Sequence, residues 1–264
     1  MDVLYGLHSV EEALRSGNRR VEYVAVARER SGGDARIDSL LALARQRKIP
    51  VRTESRDSLT RLAQTDQHQG AVAMARPLRA LTLEDLLASR GPDRPLFLLA
   101  LDGVEDPHNL GALLRTADGA GVSGVILPER RSAPVNATVA KVSAGASEHV
   151  RIAHVPNLNR ALETLKQRNI WCVGLDERAL RTYDQHDFRG DCCLVLGREG
   201  EGLHEQTRKH CDFLLKLPMA GAVASLNVSV AGAIVMYEAA RQRRNGFVTG
   251  SAQKAEKPRK GLGS

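Results

Sequence analysis

Three loops that follow apolar segments carry the residues of this sequence that could do chemistry. The first lies in LDGVEDPHNLGALLRTADGAGV, residues 101–122, where Asn109 and Arg115 accompany the start of a helix. The apolar residues of that helix recur at helical spacing, and Arg115 projects roughly 140° away from the centre of their stripe. We expect Asn109 to be the helix N-cap. Because Arg115 points away from the apolar stripe, its side chain is free to bind a ligand instead of packing in the core.

The second and third loops are rich in glycine and small residues. They lie in LVLGREGEGL, residues 194–203, and LPMAGAVASLNVSVAGA, residues 217–233. Glycines after a strand favour close approach of the backbone to a ligand. The second loop has the spacing G-x-x-G-x-G, which is the reverse of the dinucleotide-binding fingerprint G-x-G-x-x-G. Taken alone, this spacing indicates a glycine-rich turn. Ser225 and Asn227 are good N-cap residues for the last helix, which is their plainest interpretation.

The elements around these loops predict two α/β units. Residues 1–76 alternate helices with strands at 21–27, 51–55 and 70–76. From residue 96 the strands are more apolar and are separated by helices, which is typical of a parallel sheet. We expect a linker with one short helix at 77–94, a final helix from about 228 to 244, and a basic disordered tail at 246–264. The six expected strands of the second unit are 96–103, 124–128, 150–155, 170–176, 192–197 and 213–218.

Composition limits the class of protein. A hydrophobic content of 42% and a charged content of 26% are typical of a soluble globular chain. The net charge of +7 favours a polyanionic partner. The four cysteines form no C-x-x-C pair, which argues against a zinc site or a secreted disulfide framework and favours the cytoplasm. Residues 217–237 carry no formal charge, but Pro218 and Asn227 favour a buried loop and helix over a membrane span.

The order of the three loops gives a sharper hypothesis. N-L-G-x-x-x-R, then G-x-E-G-x-G, then L-P-x-x-G-x-x-x-S-L-N-V-S closely resembles the three motifs of the SpoU (TrmH) family of RNA ribose 2′-O-methyltransferases. The resemblance covers roughly residues 95–245. LYGLHSVEEAL, HQGAVA, DPHNLGA and KVSAGA resemble more specifically the members that methylate guanosine in large-subunit ribosomal RNA.

The resemblance implies a fold and an assembly. Residues 95–245 would form a SPOUT α/β domain whose chain makes a deep trefoil knot. Residues 1–76 would form a small α/β domain, similar to a ribosomal protein, that binds RNA. The family further implies a homodimer through the C-terminal domain, with the active site at the subunit interface. Small residues on one face of the last helix suit either that interface or the packing of the knot: Val228, Ala231, Gly232, Val235 and Ala239.

The resemblance also assigns residues to S-adenosylmethionine-dependent methyl transfer. Gly197, Leu217 and Leu226 match positions that lie against the cofactor, and no metal is implied. Arg115 is described in this family as a general base. A guanidinium stays protonated at physiological pH and is therefore a poor general base. We favour a role in which its forked N–H groups bind an RNA phosphate. The catalytic set implied by the family is Asn109, Arg115, Glu199, Ser225 and Asn227.

Three other functions remain open at this point. They are a tRNA ribose methyltransferase of the same family, a non-catalytic RNA-binding protein, and a nucleotide-dependent oxidoreductase. The reversed glycine spacing disfavours the oxidoreductase. We interpret His108 as a bystander, and we expect Lys141 and Arg151 at the surface.

Overall fold

The structure, a computed structural model, describes residues 1–30, 34–88, 90–91, 94–222 and 225–246, with side chains described to residue 244. Most of the predicted tail lies outside these ranges, as do two residues of the third loop. The strands are β1 (Asp2–Tyr5), β2 (Val21–Ala27), β3 (Val51–Glu54), β4 (Ala71–Ala75), β5 (Phe97–Leu101), β6 (Gly124–Pro128), β7 (Ile152–Val155), β8 (Trp171–Leu175), β9 (Arg181–Thr182), β10 (Cys192–Leu196) and β11 (Phe213–Lys216). The helices are α1 (Leu7–Ser16), α2 (Ala35–Gln46), α3 (Arg56–Ala63), α4 (Leu83–Leu87), α5 (Pro107–Ala120), α6 (Ala137–Val142), α7 (Leu158–Gln167), α8 (Glu205–His210) and α9 (Val228–Gly246).

The N-terminal sheet has four strands in the order β1-β4-β2-β3. Strand β4 is antiparallel to both of its neighbours, and β2 pairs in parallel with β3. Helices α1 and α2 contribute Leu14 and Leu40 to the core on one face, and α3 contributes Leu59 on the other. The sequence pattern predicted every element here except β1, a short strand that is separated from α1 only by Gly6.

The C-terminal sheet is parallel throughout, in the order β7-β6-β5-β10-β8-β11-β9. Its alternate residues face two separate cores, as the pleat of a strand requires. In β5, Leu99 packs with α5 and α9, while Leu98 packs with α4 and α7 on the opposite face. The prediction of a parallel α/β sheet is confirmed. The two-residue strand β9 was missed because it is too short to carry a pattern.

Helix α9 buries the face that the sequence suggested for dimer contact. Val235 and Ala239 are fully buried in the core of their own chain. A Cβ on Gly232 would lie within 2.7 Å of side-chain carbons of Leu196 and Leu113. That face therefore serves the fold of a single chain. The uncharged stretch 217–237 forms a loop and a helix as predicted, and no helix among the described residues is long and apolar enough to cross a membrane.

The strand order determines where the functional loops meet. Strands β5, β10, β8 and β11 are successive neighbours in one parallel sheet, so their carboxyl ends lie along the same edge. The chain leaves that edge into α5 after β5, into the loop 197–204 after β10, and into the loop before α9 after β11. The three motif loops are thereby brought together although they are distant in sequence.

Arg243 ties the end of α9 to the opposite edge of this sheet. Its guanidinium donates hydrogen bonds to the carbonyls of Pro95 (2.8 Å) and Gly190 (2.6 Å) and lies 4.8 Å from the centre of the Phe97 ring. Hydrogen bonds from a charged donor contribute about 1.5–3 kcal/mol each, and a cation–π contact adds roughly 0.5–1 kcal/mol. These bonds hold the end of the helix against the amino ends of the central strands.

We therefore expect Arg243→Ala to lower the free energy of unfolding by about 2–4 kcal/mol, measured by urea denaturation. The matched control is Arg241→Ala, because the exposed Arg241 pairs, within the described part of the chain, with Glu238 alone, one turn away on the same helix. That pair should contribute about 0.5 kcal/mol or less. Equal losses in the two variants would contradict the clamping role of Arg243.

Candidate active site

A cavity of about 210 Å³ opens at the carboxyl ends of β8, β10 and β11. Its walls come from the ends of these strands, the loop 197–202 and the start of α9. The residues predicted to lie against the cofactor, Gly197, Leu217 and Leu226, all line it. Two predicted catalytic residues, Glu199 and Ser225, line it as well. The structure thus places five of the eight predicted site residues around one space.

The loop after β10 owes its glycines to its own geometry. Arg198 and Gly202 exchange two backbone hydrogen bonds of 2.9 and 3.0 Å, which close the loop into a tight hairpin. A Cβ on Gly197 would lie 2.1 Å from the backbone carbonyl carbon of Gly202, so no larger residue fits there. Gly200 and Gly202 adopt φ angles of +77° and +70°. The G-x-x-G-x-G spacing therefore reflects hairpin closure, which presents Glu199 at the cavity.

Asn109, Glu199 and Asn227 form a hydrogen-bonded cluster that we call the amide–carboxylate triad. Asn109 Nδ2 donates to Glu199 Oε2 at 2.9 Å, and Asn227 Nδ2 donates to Glu199 Oε1 at 3.2 Å. Asn227 Nδ2 also donates to Asn109 Oδ1 at 2.9 Å. Each carboxylate oxygen thus accepts one amide hydrogen, and one residue from each motif loop takes part. Asn109 is 8% exposed, so the triad is partly shielded from water.

The two asparagines differ in how their helices use them. The prediction that Asn109 caps α5 is wrong: Asp106 is the N-cap and accepts a bond from the His108 amide, with Pro107 in the first turn. Because α5 begins earlier, Asn109 lies inside its first turn and its side chain is free for the triad. Asn227 does cap α9, since its Oδ1 accepts from the Ser229 amide at 2.9 Å. Its Nδ2 remains available for Glu199.

Arg115 and Ser225 lie outside the triad. Arg115 is exposed on α5 and has no hydrogen bond or ion pair within the part of the chain that the structure describes. It lies six positions after Asn109, which places it about 9 Å further along the helix and about 120° around it. Ser225 is exposed at the cavity wall. A single chain therefore does not bring Arg115 to the triad.

Asp176 is a buried carboxylate at the cavity that sequence reasoning missed. It directly follows β8, and Arg178 donates two side-chain hydrogen bonds to it, at 2.9 and 2.7 Å. These bonds, with one from the Arg178 amide, hold the pKa of the Asp176 carboxyl below its usual value against the opposing effect of burial. Both residues line the cavity. The available signal was an acidic residue at the carboxyl end of an apolar strand.

We expect Asn109→Asp to destabilise the protein at neutral pH, because it places a second carboxylate against Glu199. Two such groups cannot both stay ionised without cost, so the pKa of the pair rises in the folded chain. At a pH above this raised pKa, the free energy of unfolding should be lower than that of the wild type by about 2 kcal/mol. This loss should shrink as the pH falls through the raised pKa. Urea denaturation at pH 7.5 and pH 5 measures it.

The control for this substitution is Asn136→Asp, at the N-cap of α6. There the side-chain oxygen accepts a bond from the Val139 amide, which an aspartate does equally well. A loss of stability in Asn109→Asp that does not depend on pH, or that equals the control, would contradict the geometry of the triad.

Comparisons with known proteins identify the family. The model of the SpoU rRNA methylase family matches residues 96–237, and that for RNA 2′-O ribose methyltransferase substrate binding matches residues 3–81. A Pseudomonas aeruginosa protein, 23S rRNA (guanosine-2′-O-)-methyltransferase RlmB, is 49% identical over 243 residues, 91% of this chain and 96% of that protein. The Escherichia coli (strain K12) protein of the same name is 44% identical, over 92% and 99% of the two chains.

Solved structures agree with these matches. The SpoU methyltransferase AviRb from Streptomyces viridochromogenes, in complex with the cofactor AdoMet, aligns with a TM-score of 0.75 and 25% identity, over 92% of this chain and 91% of that one. A crystal structure of an RNA 2′-O ribose methyltransferase aligns with a TM-score of 0.77 and 28% identity, over 92% and 88%. The chain belongs to the SpoU rRNA methylase family.

Proposed function

We propose that the protein is a 23S rRNA guanosine 2′-O-methyltransferase, which transfers the methyl group of S-adenosylmethionine to a ribose 2′-hydroxyl. The observation that carries this proposal is Glu199, which lines the cavity and accepts hydrogen bonds from Asn109 and Asn227. One residue thereby joins a space for a cofactor to polar groups that could orient a hydroxyl. The relatives named RlmB, which align over more than nine-tenths of this chain, support the choice of RNA. A ribosomal RNA substrate supports a cytoplasmic location.

The residues of the cavity fit S-adenosylmethionine in their chemistry. Leu217, Met219 and Leu226 supply apolar surface, and the exposed fractions of the last two, 39% and 37%, leave them available to an adenine ring. The carboxylates of Glu199 and Glu201 suit the cationic sulfonium and ammonium groups. Backbone groups at the ends of β10 and β11 complete the lining. When bound, the cofactor supplies a methyl group that is already activated.

The protein's own task is to align the ribose and to assist removal of one proton. The triad holds Asn109 and Asn227 rigidly beside the cavity, and Ser225 lies exposed at its wall. The planar guanidinium of Arg115 grips the RNA phosphate with two parallel N–H groups and orients the hydroxyl. The proton leaves to a phosphate oxygen or to water.

The exposed position of Arg115 supports an active site shared by two subunits of a homodimer. Arg115 lies one turn before Gly119, and a Cβ on Gly119 would meet the Tyr237 hydroxyl of α9 at 2.9 Å. Tyr237 and Val230 are 53% and 48% exposed, an apolar surface on α9 beside Arg115. Association of two chains through this surface would cover it and carry Arg115 to the cavity of the partner chain.

The division of labour along the chain is part of the same proposal. Residues 1–76 bind RNA and deliver it to the active site, residues 77–94 connect the two units, and residues 95–245 contain the catalytic and cofactor-binding residues. In the connecting segment, Leu86 and Leu87 are buried against the C-terminal sheet, so this stretch is docked on the catalytic unit where it is described. The trefoil knot implied by the family, in which the C-terminal chain threads through a loop, stays a prediction.

In cells whose wild-type gene is replaced by one that encodes Arg115→Ala, we expect one guanosine 2′-O-methyl mark in 23S rRNA to be lost. In single-turnover methylation at saturating cofactor and RNA, its rate should fall about 100- to 1000-fold, by analogy with the loss of a preorganised donor. Affinity for S-adenosylmethionine should stay within a few-fold, and Arg115→Lys should restore little. Arg160→Ala, an exposed arginine on α7 across the sheet, is the control and should retain the wild-type rate. A near-normal rate for Arg115→Ala would remove it from the site.

Mixing two inactive variants tests the shared site. Arg115→Ala and Glu199→Gln, refolded together in equal amounts, form heterodimers in which one of the two sites draws both intact residues from different chains. About a quarter of the wild-type activity should return, because half of the dimers are mixed and each has one intact site. Mixtures that stay inactive would place Arg115 and Glu199 in the same chain's site.

A further inference from the structure

Residues 137–149, which comprise α6 and the 3₁₀ turn Ala146–Glu148, lie between the N-terminal unit and the catalytic helix α5. We call them the bridging segment. On the side of α5, a Cβ on Gly111 would lie 2.7 Å from Val142 Cβ, so helix and segment are in close contact. On the other side, Gly145 has a φ of +87°, and a Cβ there would lie 2.6 Å from Glu12 Cβ of α1. The segment is thus packed tightly between the two units.

A buried ion pair crosses from the bridging segment to the N-terminal unit. Arg19 Nε donates to Glu148 Oε2 at 2.8 Å, and the side chains are 3% and 0% exposed. Arg19 also contacts Asp2 at 3.0 Å, and Asn18 Nδ2 donates to the Glu148 carbonyl at 2.8 Å. The guanidinium therefore bridges a carboxylate of each unit, and its orientation is fixed from both sides.

Two further polar contacts reinforce this interface. Ser9 Oγ donates to the carbonyl of Ala140 at 3.1 Å, and Lys141 Nζ donates to the carbonyl of Gln67 at 2.6 Å. Lys141 and Arg151, which we expect at the surface, are half-buried there and make specific contacts. Lys141 binds the N-terminal unit, and Arg151 donates to the carbonyl of Asp85 at 2.6 Å. Gln67, which directly precedes the HQG stretch, thus meets the first residue of KVSAGA.

The ion pair is better suited to fixing an arrangement than to adding stability. Among the residues that the structure describes, the second carboxylate oxygen of Glu148 and the hydroxyl of Ser147 are buried and have no hydrogen-bond partner. Because this pairing is incomplete, burying the charge of Glu148 costs free energy. Separating the pair costs more, because it would leave both Arg19 and Glu148 buried and unpaired. The docked arrangement is therefore strongly preferred to any other orientation in which Glu148 stays buried.

We propose that Arg19 and Glu148 are positioning residues, which hold the N-terminal unit in one orientation relative to α5 so that bound ribosomal RNA presents its target ribose to Asn109 and Arg115. The proposal rests on the proposed function. A tether alone would let the unit bind RNA in many orientations. Because the N-terminal unit is docked on the segment that packs against α5, the bound RNA is held in the one orientation that is productive. The entropy cost of aligning the ribose is then met before the methyl transfer.

Glu148→Gln in the full-length protein tests this role with ribosomal RNA as the probe. The single-turnover rate at saturating RNA should fall about 10- to 100-fold, as for misplacement of a substrate by about 1 Å. Affinities for S-adenosylmethionine and for RNA should stay within about 2-fold, because neither binding surface changes. Small-angle X-ray scattering should show a larger radius of gyration. A rate loss with both affinities intact is not what general destabilisation would produce.

The control is Glu84→Gln, which breaks an exposed ion pair with Arg168, outside the N-terminal unit and the active site, and should match the wild type in every measurement. If Glu148→Gln fails to fold, Asn18→Ala removes only one hydrogen bond of the interface and should still slow the rate about 3-fold. Wild-type rates and scattering in the variant that folds would overturn the proposal. Absence of RNA methylation by the wild-type protein would overturn the proposed function instead.

Discussion

The carboxylate of Glu199 is the interaction on which the arrangement of the site depends. It is presented by a hairpin that only glycine at 197 permits, and its two oxygens accept hydrogen bonds from two different helix starts. Because charge-assisted bonds are stronger than neutral ones, this single residue can hold three loops that share no local sequence. The loop after β10 and the first turns of α5 and α9 are fixed relative to one another through it.

The sheet makes this meeting possible. In a parallel sheet every strand ends at the same edge, and the order β5-β10-β8-β11 places the carriers of the motif loops side by side. The apolar faces of α5 and α9 pack against each other over one face of that sheet, so both helix starts point to the same edge. Arg243 secures the far end of α9. The fold thereby turns three separate sequence motifs into one rigid polar cluster beside a cavity.

Periodicity and strand composition predicted the parallel sheet, its six longer strands and the three loops that follow strands, because those features depend on local apolar patterns. What they could not predict depends on contacts between distant residues. Asn109 looked like a cap because its type suits one, but Asp106 and Pro107 start the helix earlier and free Asn109 for Glu199. Lys141 looked like a surface lysine, since nothing nearby in sequence shows that Gln67 would face it. Arg115 lies apart from the triad in the single chain, a separation that its place in the first motif does not reveal.

The central claim is that Glu199 couples the helix starts to the cofactor cavity. It is tested most directly by a double-mutant cycle of Glu199→Gln and Asn109→Ala, read out as S-adenosylmethionine affinity by calorimetry. If the triad acts as one unit, each single variant should weaken binding about 10-fold and the double variant no further, a coupling of about 1.4 kcal/mol. If the two losses simply multiply to about 100-fold in the double variant, the residues act independently and the account is contradicted.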